Sequence, residues 1–174
     1  MTIHVTPAPA DAIGVLQQTR ASVGQLFDAY AALCDRIGDT YEEKLAVVER
    51  LSLELTLNTQ VEEELLVPAL HHAAVDLSPL QALHDSAWAT VAQLSMGEPG
   101  DLRFDGKLLG LAQELNQRLK LVHDVTLPLL PGAGIALAEL GQRMLARKAR
   151  LVEAFDRPAV EDEDDDPVGP GPLH

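Results

Sequence analysis

Polar side chains that could bind a metal ion or a small anion occupy the inward faces of four predicted helices. Asn58 and Glu62 are four residues apart, so both lie on one face of a helix. The apolar stripes of three further segments are interrupted by Arg20, His84 and Arg118. Burying an ion is costly unless it is paired and hydrogen-bonded. The five residues together therefore predict one shared interior polar site.

Glycines, prolines and capping residues divide the chain into five predicted helical segments. The segments run from about 11 to 36, 40 to 68, 78 to 96, 104 to 127 and 135 to 155. Asp11 and Ser78 are the expected N-caps of the first and third segments, and Thr40 begins a capping box for the second. Pro68 and Pro128 are expected to end the second and fourth. The composition favours helix over sheet, so we predict an all-α bundle of four long helices with a fifth appended.

The second and fourth segments have the same internal spacing, which predicts an internal repeat. The shared spacing links Asn58, Glu62 and Pro68 in one segment and Arg118, Val122 and Pro128 in the other. Pairs of residues four apart are the arrangement that di-metal helical bundles use to direct ligands inward.

The chain resembles the hemerythrin-like (HHE cation-binding) domain family over residues 11–155. The resemblance rests on LQQTRASVGQLFDAY, NTQVEEELLVPAL, ALHDSAWATVAQL, RLKLVHDVTLPLL and LAELGQRMLARKARL, one in each of the five segments. It implies a hemerythrin-like four-helix up-and-down bundle with an additional C-terminal helix. In that family the four helices supply a His, a His-x-x-x-Glu pair, a His and a second His-x-x-x-Glu pair to two iron ions.

The chain departs from this ligand set at most of the implied positions. These positions fall on Arg20, Asn58, Glu62, His84, Arg118 and Val122. Only Glu62 and His84 match, because arginine offers no lone pair to a metal and valine has no ligand atom. We therefore expect the di-iron site to be lost and no metal to be bound. In its place we expect an interior polar cluster of Arg20, Asn58, Glu62, His84 and Arg118, with an arginine on either side of Glu62.

The sequence thus predicts a non-enzymatic binding or interaction protein that has no cofactor and an unidentified protein or small-molecule partner. It has no pattern typical of a nucleophile with its base, of a phosphate-binding glycine loop or of a redox thiol pair. One alternative is an iron- or oxygen-binding metalloprotein with an altered ligand set, including a mononuclear site at Glu62, His84 and His123. Another is a protein that binds a small anion through its interior arginines. A homo-oligomer is also compatible with the sequence.

Composition and charge indicate the domain organisation and the kind of partner. The 174-residue chain has a formal net charge of −14, which disfavours nucleic acid as a partner. A signal-peptide pattern and a long apolar run are both absent from the sequence, and the single Cys34 excludes a disulfide framework, so we expect a cytoplasmic protein without a membrane partner. We predict an N-terminal extension at 1–10, a helical bundle at 11–157 and an acidic, Pro/Gly-rich disordered tail at 158–174.

Overall fold

The computed structural model describes residues 11–156, and within this range every regular secondary-structure element is a helix. The predicted all-α class is confirmed. The predicted N-terminal extension and acidic tail lie outside the described residues. The α-helices are α1 (Ala12–Asp35), α2 (Tyr41–Val61), α3 (Val67–His72), α4 (Ser78–Ser95), α5 (Leu102–Leu121) and α6 (Leu137–Phe155).

Two π-helical turns join these elements into five helical rods. The first π-helical turn, Glu62–Leu66, connects α2 to α3, and the second, Val122–Thr126, connects α5 to a 3-10 helix at Leu127–Gly132. The number of predicted segments therefore matches the structure, but two predicted ends do not. Both rods continue past the proline that was expected to stop them.

The π-helical turns explain how the rods pass through Pro68 and Pro128. A proline inside an α-helix clashes with the carbonyl four residues earlier and cannot donate a backbone hydrogen bond. Here the residue before each proline instead donates to the carbonyl five residues back, from Val67 to Glu62 in one rod and from Leu127 to Val122 in the other. This wider turn moves the crowded carbonyl away from the proline ring. The helix therefore changes its hydrogen-bonding pattern at this point but does not end.

The predicted N-cap position is correct for two helices of three. The Asp11 carboxylate accepts from the backbone N–H of Gly14 at 2.8 Å, as predicted for an N-cap. Thr40 is the N-cap of α2, as predicted, but its hydroxyl makes no cap bond and donates instead to the carbonyl of Leu33, so the predicted capping box is wrong. Ser78 is not an N-cap, because it lies inside α4.

Four helices form a closed ring around the core. Helix α1 packs on α2, α2 on α4, α4 on α5, and α5 returns to α1, while α6 packs against α1 and α2 from outside. Close approach of α6 depends on Gly141, because a Cβ there would lie 2.4 Å from the carbonyl carbon of Asp11. Within residues 11–156, none of the helices combines the length and apolar character needed to cross a membrane.

Candidate functional site

Three of the five residues predicted to form the interior cluster are buried in the ring of helices. Asn58, Glu62 and His84 are each exposed by 6% or less. Glu62 Oε2 lies 3.0 Å from His84 Nε2, which joins the first π-helical turn to α4. Glu62 and His84, the two positions at which the sequence matches the ligand set implied by the resemblance, therefore bond to each other.

The first π-helical turn directs the next two carboxylates to different helices. Glu63 accepts from the indole N–H of Trp88 at 3.2 Å and lies 3.6 Å from His84 Nδ1. Glu64 accepts from Nε and Nη2 of Arg147 in α6 at 2.6 and 2.9 Å. The hydrogen bonds from Arg147 and a neighbouring glutamine lower the pKa of Glu64 to about 2. Both ring nitrogens of His84 thus face carboxylates.

Asn58 forms further buried hydrogen bonds on the face of α2 that leads to Glu62. Its side-chain oxygen accepts from the Thr19 hydroxyl at 3.4 Å, and its amide donates to Glu54 at 3.2 Å. Glu54 also accepts from Lys148 of α6 at 2.8 Å and from Arg50 at 2.7 Å. Burial alone would raise the pKa of Glu54, but the bond and charge of Lys148, the charge of Arg50 and the bond from Asn58 together outweigh it and lower the pKa.

The placement of Arg118 corrects the predicted cluster. Its side chain is 37% exposed and donates to Glu114 on the same helix at 3.0 and 3.3 Å. Arg118 lies at the edge of the buried stripe that contains Leu115 and Val122, and its long stem can reach the surface from there. Glu62 is therefore not flanked by two arginines.

Arg20 also differs from its expected role. It is half-buried and forms no ion pair with any residue of the range 11–156. The polar residue that α1 turns into the core is its neighbour Thr19, which is 9% exposed. Arg20, Thr19, Glu62 and His123 line a cavity of about 20 Å³, which has room for about one water molecule.

The residues at these positions do not fit a di-iron centre. Two irons need several imidazole and carboxylate ligands, but arginine has no lone pair to donate and the buried Val122 has no ligand atom. Among residues 11–156, no three or more His, Cys, Asp or Glu side chains are grouped so as to hold a metal ion. His123 lines the cavity with Glu62, but its Nδ1 lies 3.1 Å from Asp124.

A second buried polar cluster lies where the end of α1 meets the starts of α2 and α5. Asp105 accepts from the Tyr30 hydroxyl at 2.5 Å, from Lys44 Nζ at 2.5 Å and from the backbone N–H of Gly100 at 3.1 Å. Burial alone would raise the pKa of Asp105, but these three hydrogen bonds outweigh it and lower the pKa. Burial and the bond to Asp105 raise the pKa of Tyr30.

Lys44 and Cys34 complete this second cluster. Burial alone would lower the pKa of Lys44, but the hydrogen bond and charge of Asp105 outweigh it and raise the pKa. Burial and the Asp105 charge raise the pKa of the Cys34 thiol, which therefore stays protonated and weakly nucleophilic. Cys34, Lys44 and Asp105 line a polar cleft of about 790 Å³.

The sequence contained a signal for this second cluster. The predicted stripes of the second and fourth segments begin at Val48 and Leu108. One helical turn earlier, the same stripes reach Lys44 and Asp105, which are of opposite charge. Extending each stripe to its cap would have identified the pair.

Comparison of the chain with protein-family models, curated proteins and solved structures finds no match in any of the three.

Proposed function

We propose that the protein is a hemerythrin-like helical bundle that has lost its di-iron chemistry and acts as a non-enzymatic binding or interaction protein. The observation that carries this proposal is the direct bond between Glu62 and His84. These are the two positions at which the resemblance retains a ligand. Each group is bonded to the other, and the cavity beside Glu62 has room for only about one water molecule.

Contacts between α1 and α2 support the up-and-down arrangement that the family implies. Thr19, near the start of α1, bonds Asn58, near the end of α2. Tyr30, near the end of α1, shares Asp105 with Lys44 in the first turn of α2. The two helices therefore run in opposite directions, as neighbours do in such a bundle.

The two π-helical turns support the internal repeat on which the assignment of positions depends. Glu62 and Val122 are each the first residue of a π-helical turn, and each lies six residues before a proline. Val122 thus occupies the position equivalent to Glu62, and its side chain is 5% exposed. A carboxylate that would bridge two metals in the family is replaced at this position by a buried apolar group.

The two alternatives from the sequence are supported unequally. An anion site between interior arginines loses support, because Arg118 is bonded to Glu114 at the surface and Glu62 lines the cavity beside Arg20. A mononuclear iron site retains one supporting observation, since His123 and Glu62 line the same cavity. Metal content distinguishes the main proposal from this alternative.

The test is elemental analysis of protein expressed with added iron and then loaded anaerobically. We expect far less than one iron atom per chain and no oxo-bridged di-iron absorption. One tightly bound iron per chain would favour the mononuclear alternative, and two would overturn the loss of the di-iron site.

A gain-of-binding variant tests the assignment of positions. The variant combines Arg20→His, Asn58→His, Arg118→His and Val122→Glu. We expect it to bind iron because Arg20 and Val122 line the cavity with Glu62, and because Asn58 and Arg118 lie four residues before Glu62 and Val122 on their helices. The matched control adds Glu62→Ala and His84→Ala and should lose that iron. A quadruple variant that keeps its helical content yet binds no iron would contradict the assignment.

A further inference from the structure

An apolar groove of about 390 Å³ lies where the last residue of α6 meets α2 and the end of α4. Its apolar lining includes Leu45 and Leu53 of α2, Leu94 of α4 and Phe155 of α6. Phe155 is 58% exposed, although it belongs to the groove. The described residues therefore leave this apolar surface partly uncovered at the point where the described chain ends.

A cleft with two cationic side chains adjoins the groove, and Gly97 lines both. Arg103 and Lys107, on the first turns of α5, line this cleft and are exposed. Neither side chain forms an ion pair with a residue of the described range. Glu98 and Asp101 line the cleft as well, but the Asp101 carboxylate accepts from the backbone N–H of Arg103 at 2.6 Å.

The residues that follow α6 complement this surface in sequence order, with apolar residues first and acidic residues after them. Residues 157–160 are Arg-Pro-Ala-Val, and residues 161–166 are six consecutive acids. Four extended residues span about 13 Å, which exceeds the 8–10 Å that separates the axes of packed helices. Residues 157–160 are therefore long enough to extend over the groove from Phe155, and the acids that follow can approach the cationic cleft, which shares Gly97 with the groove.

We propose that residues 157–166 bind back onto this surface. Pro158, Ala159 and Val160 cover the apolar groove, and the acidic run pairs with Arg103 and Lys107. Composition alone predicts a solvated tail. A prediction from composition takes no account of the folded surface next to which the tail begins.

The same groove contains two groups whose charge is complementary to that of Arg157. Glu49 lines the groove and is exposed. The end of α4 also lines it, and the last turn of α4 contains no basic residue. The carbonyl end of a helix carries partial negative charge that a cation stabilises. Arg157 is the only Lys or Arg after α6, so it is the cation available to this position.

Disulfide trapping in the full-length chain tests the proposal. In a Cys34→Ser background, Ser52→Cys in the groove is combined with Val160→Cys in the tail. The matched control pairs Val160→Cys with Ser86→Cys, which lies on α4 outside the lining of the groove. We expect the Ser52 pair to form an intramolecular disulfide at least ten-fold faster than the Ser86 pair in dilute protein. Equal rates, or a predominantly intermolecular disulfide at position 52, would overturn the proposal.

Charge reversal tests the acidic part separately. Arg103→Glu with Lys107→Glu should slow trapping of the Ser52 pair several-fold at low salt, and high salt should slow the unaltered pair similarly. The control is Arg143→Glu with Arg150→Glu, which makes the same charge change on exposed positions of α6. An equal effect of both double reversals would show that the acids respond to overall charge and do not bind at α5.

Chemical shifts supply a test that needs no cysteine. Ending the chain at Asp156 should shift backbone amide signals mainly within residues 45–56 and 94–107. Shifts confined to the last turn of α6 would contradict a bound tail.

Discussion

Replacing Asp105 with asparagine should destabilise the fold strongly, because it leaves the buried Lys44 ammonium without a carboxylate. The side chains of both residues are 8% exposed, and Lys44 Nζ lies 2.5 Å from Asp105 Oδ2. Breaking a buried pair by removing one partner typically costs 3–5 kcal/mol. We expect about 3 kcal/mol, the lower end of that range, because both side chains also line the polar cleft. Denaturant unfolding followed by far-ultraviolet circular dichroism measures the change.

The chain provides a matched exposed pair as the control. Lys120 and Asp124 are four residues apart, and their side chains are 66% and 47% exposed. Asp124→Asn should leave the unfolding midpoint almost unchanged, since such surface pairs contribute little. In a double-mutant cycle, Lys44→Met with Asp105→Asn should cost clearly less than the two single changes added together. Equal small effects at 105 and 124, or additive effects in the cycle, would refute a buried pair.

The stabilisation from this pair should also depend on pH in a defined direction. The pKa of Asp105 is lowered in the folded protein, so its contribution is present above the unfolded value near 3.8 and is lost as pH falls through the folded pKa. The pKa of Lys44 is raised, so its contribution is present below 10.5 and is lost as pH rises through the folded pKa. The coupling between the two residues should therefore be constant near neutrality and decline at both extremes.

Three further substitutions test packing and hydrogen bonding. Gly141→Ala should cost about 1–3 kcal/mol because its Cβ would lie 2.4 Å from the carbonyl carbon of Asp11, whereas Gly110→Ala, with open space around it, should stabilise α5 by about 0.5–1 kcal/mol. Thr126→Val should stabilise by about 1 kcal/mol, since the Thr126 hydroxyl is buried without a hydrogen-bond partner in the described range. The same unfolding assay applies, and a loss of stability in Thr126→Val would mean that the hydroxyl is satisfied in solution.

Helical periodicity was sufficient to predict which face of α2 is buried. Val48, Leu51, Leu55, Asn58 and Glu62 follow the predicted stripe, and each is exposed by 6% or less. The helix has buried residues at steps of three and four regardless of their polarity, so Asn58 and Glu62 were placed correctly by spacing alone. The same reasoning placed His84 in the core on α4.

Periodicity was less informative for the arginines. A shift of one residue around the helix decides whether a long side chain lies in the core or at the surface. In α1 the stripe passes through Thr19, and Arg20 lies beside it. In α5 the backbone of Arg118 borders the buried stripe, but its guanidinium lies at the surface with Glu114. A stem of several methylene groups separates the backbone position from the position of the charge, and spacing describes only the backbone.

The prolines show a second limit, which is local in origin. Sequence rules place a helix end before Pro68 because an α-helical turn cannot accommodate the ring. The chain inserts a wider turn instead, and the same turn directs Glu62 to His84, Glu63 to Trp88 and Glu64 to Arg147. In an uninterrupted α-helix Glu62 alone would follow the inward stripe. Three consecutive carboxylates that bond to α4 and α6 therefore lie in the same turn that lets the rod continue, so the candidate site includes a backbone feature that periodicity does not describe.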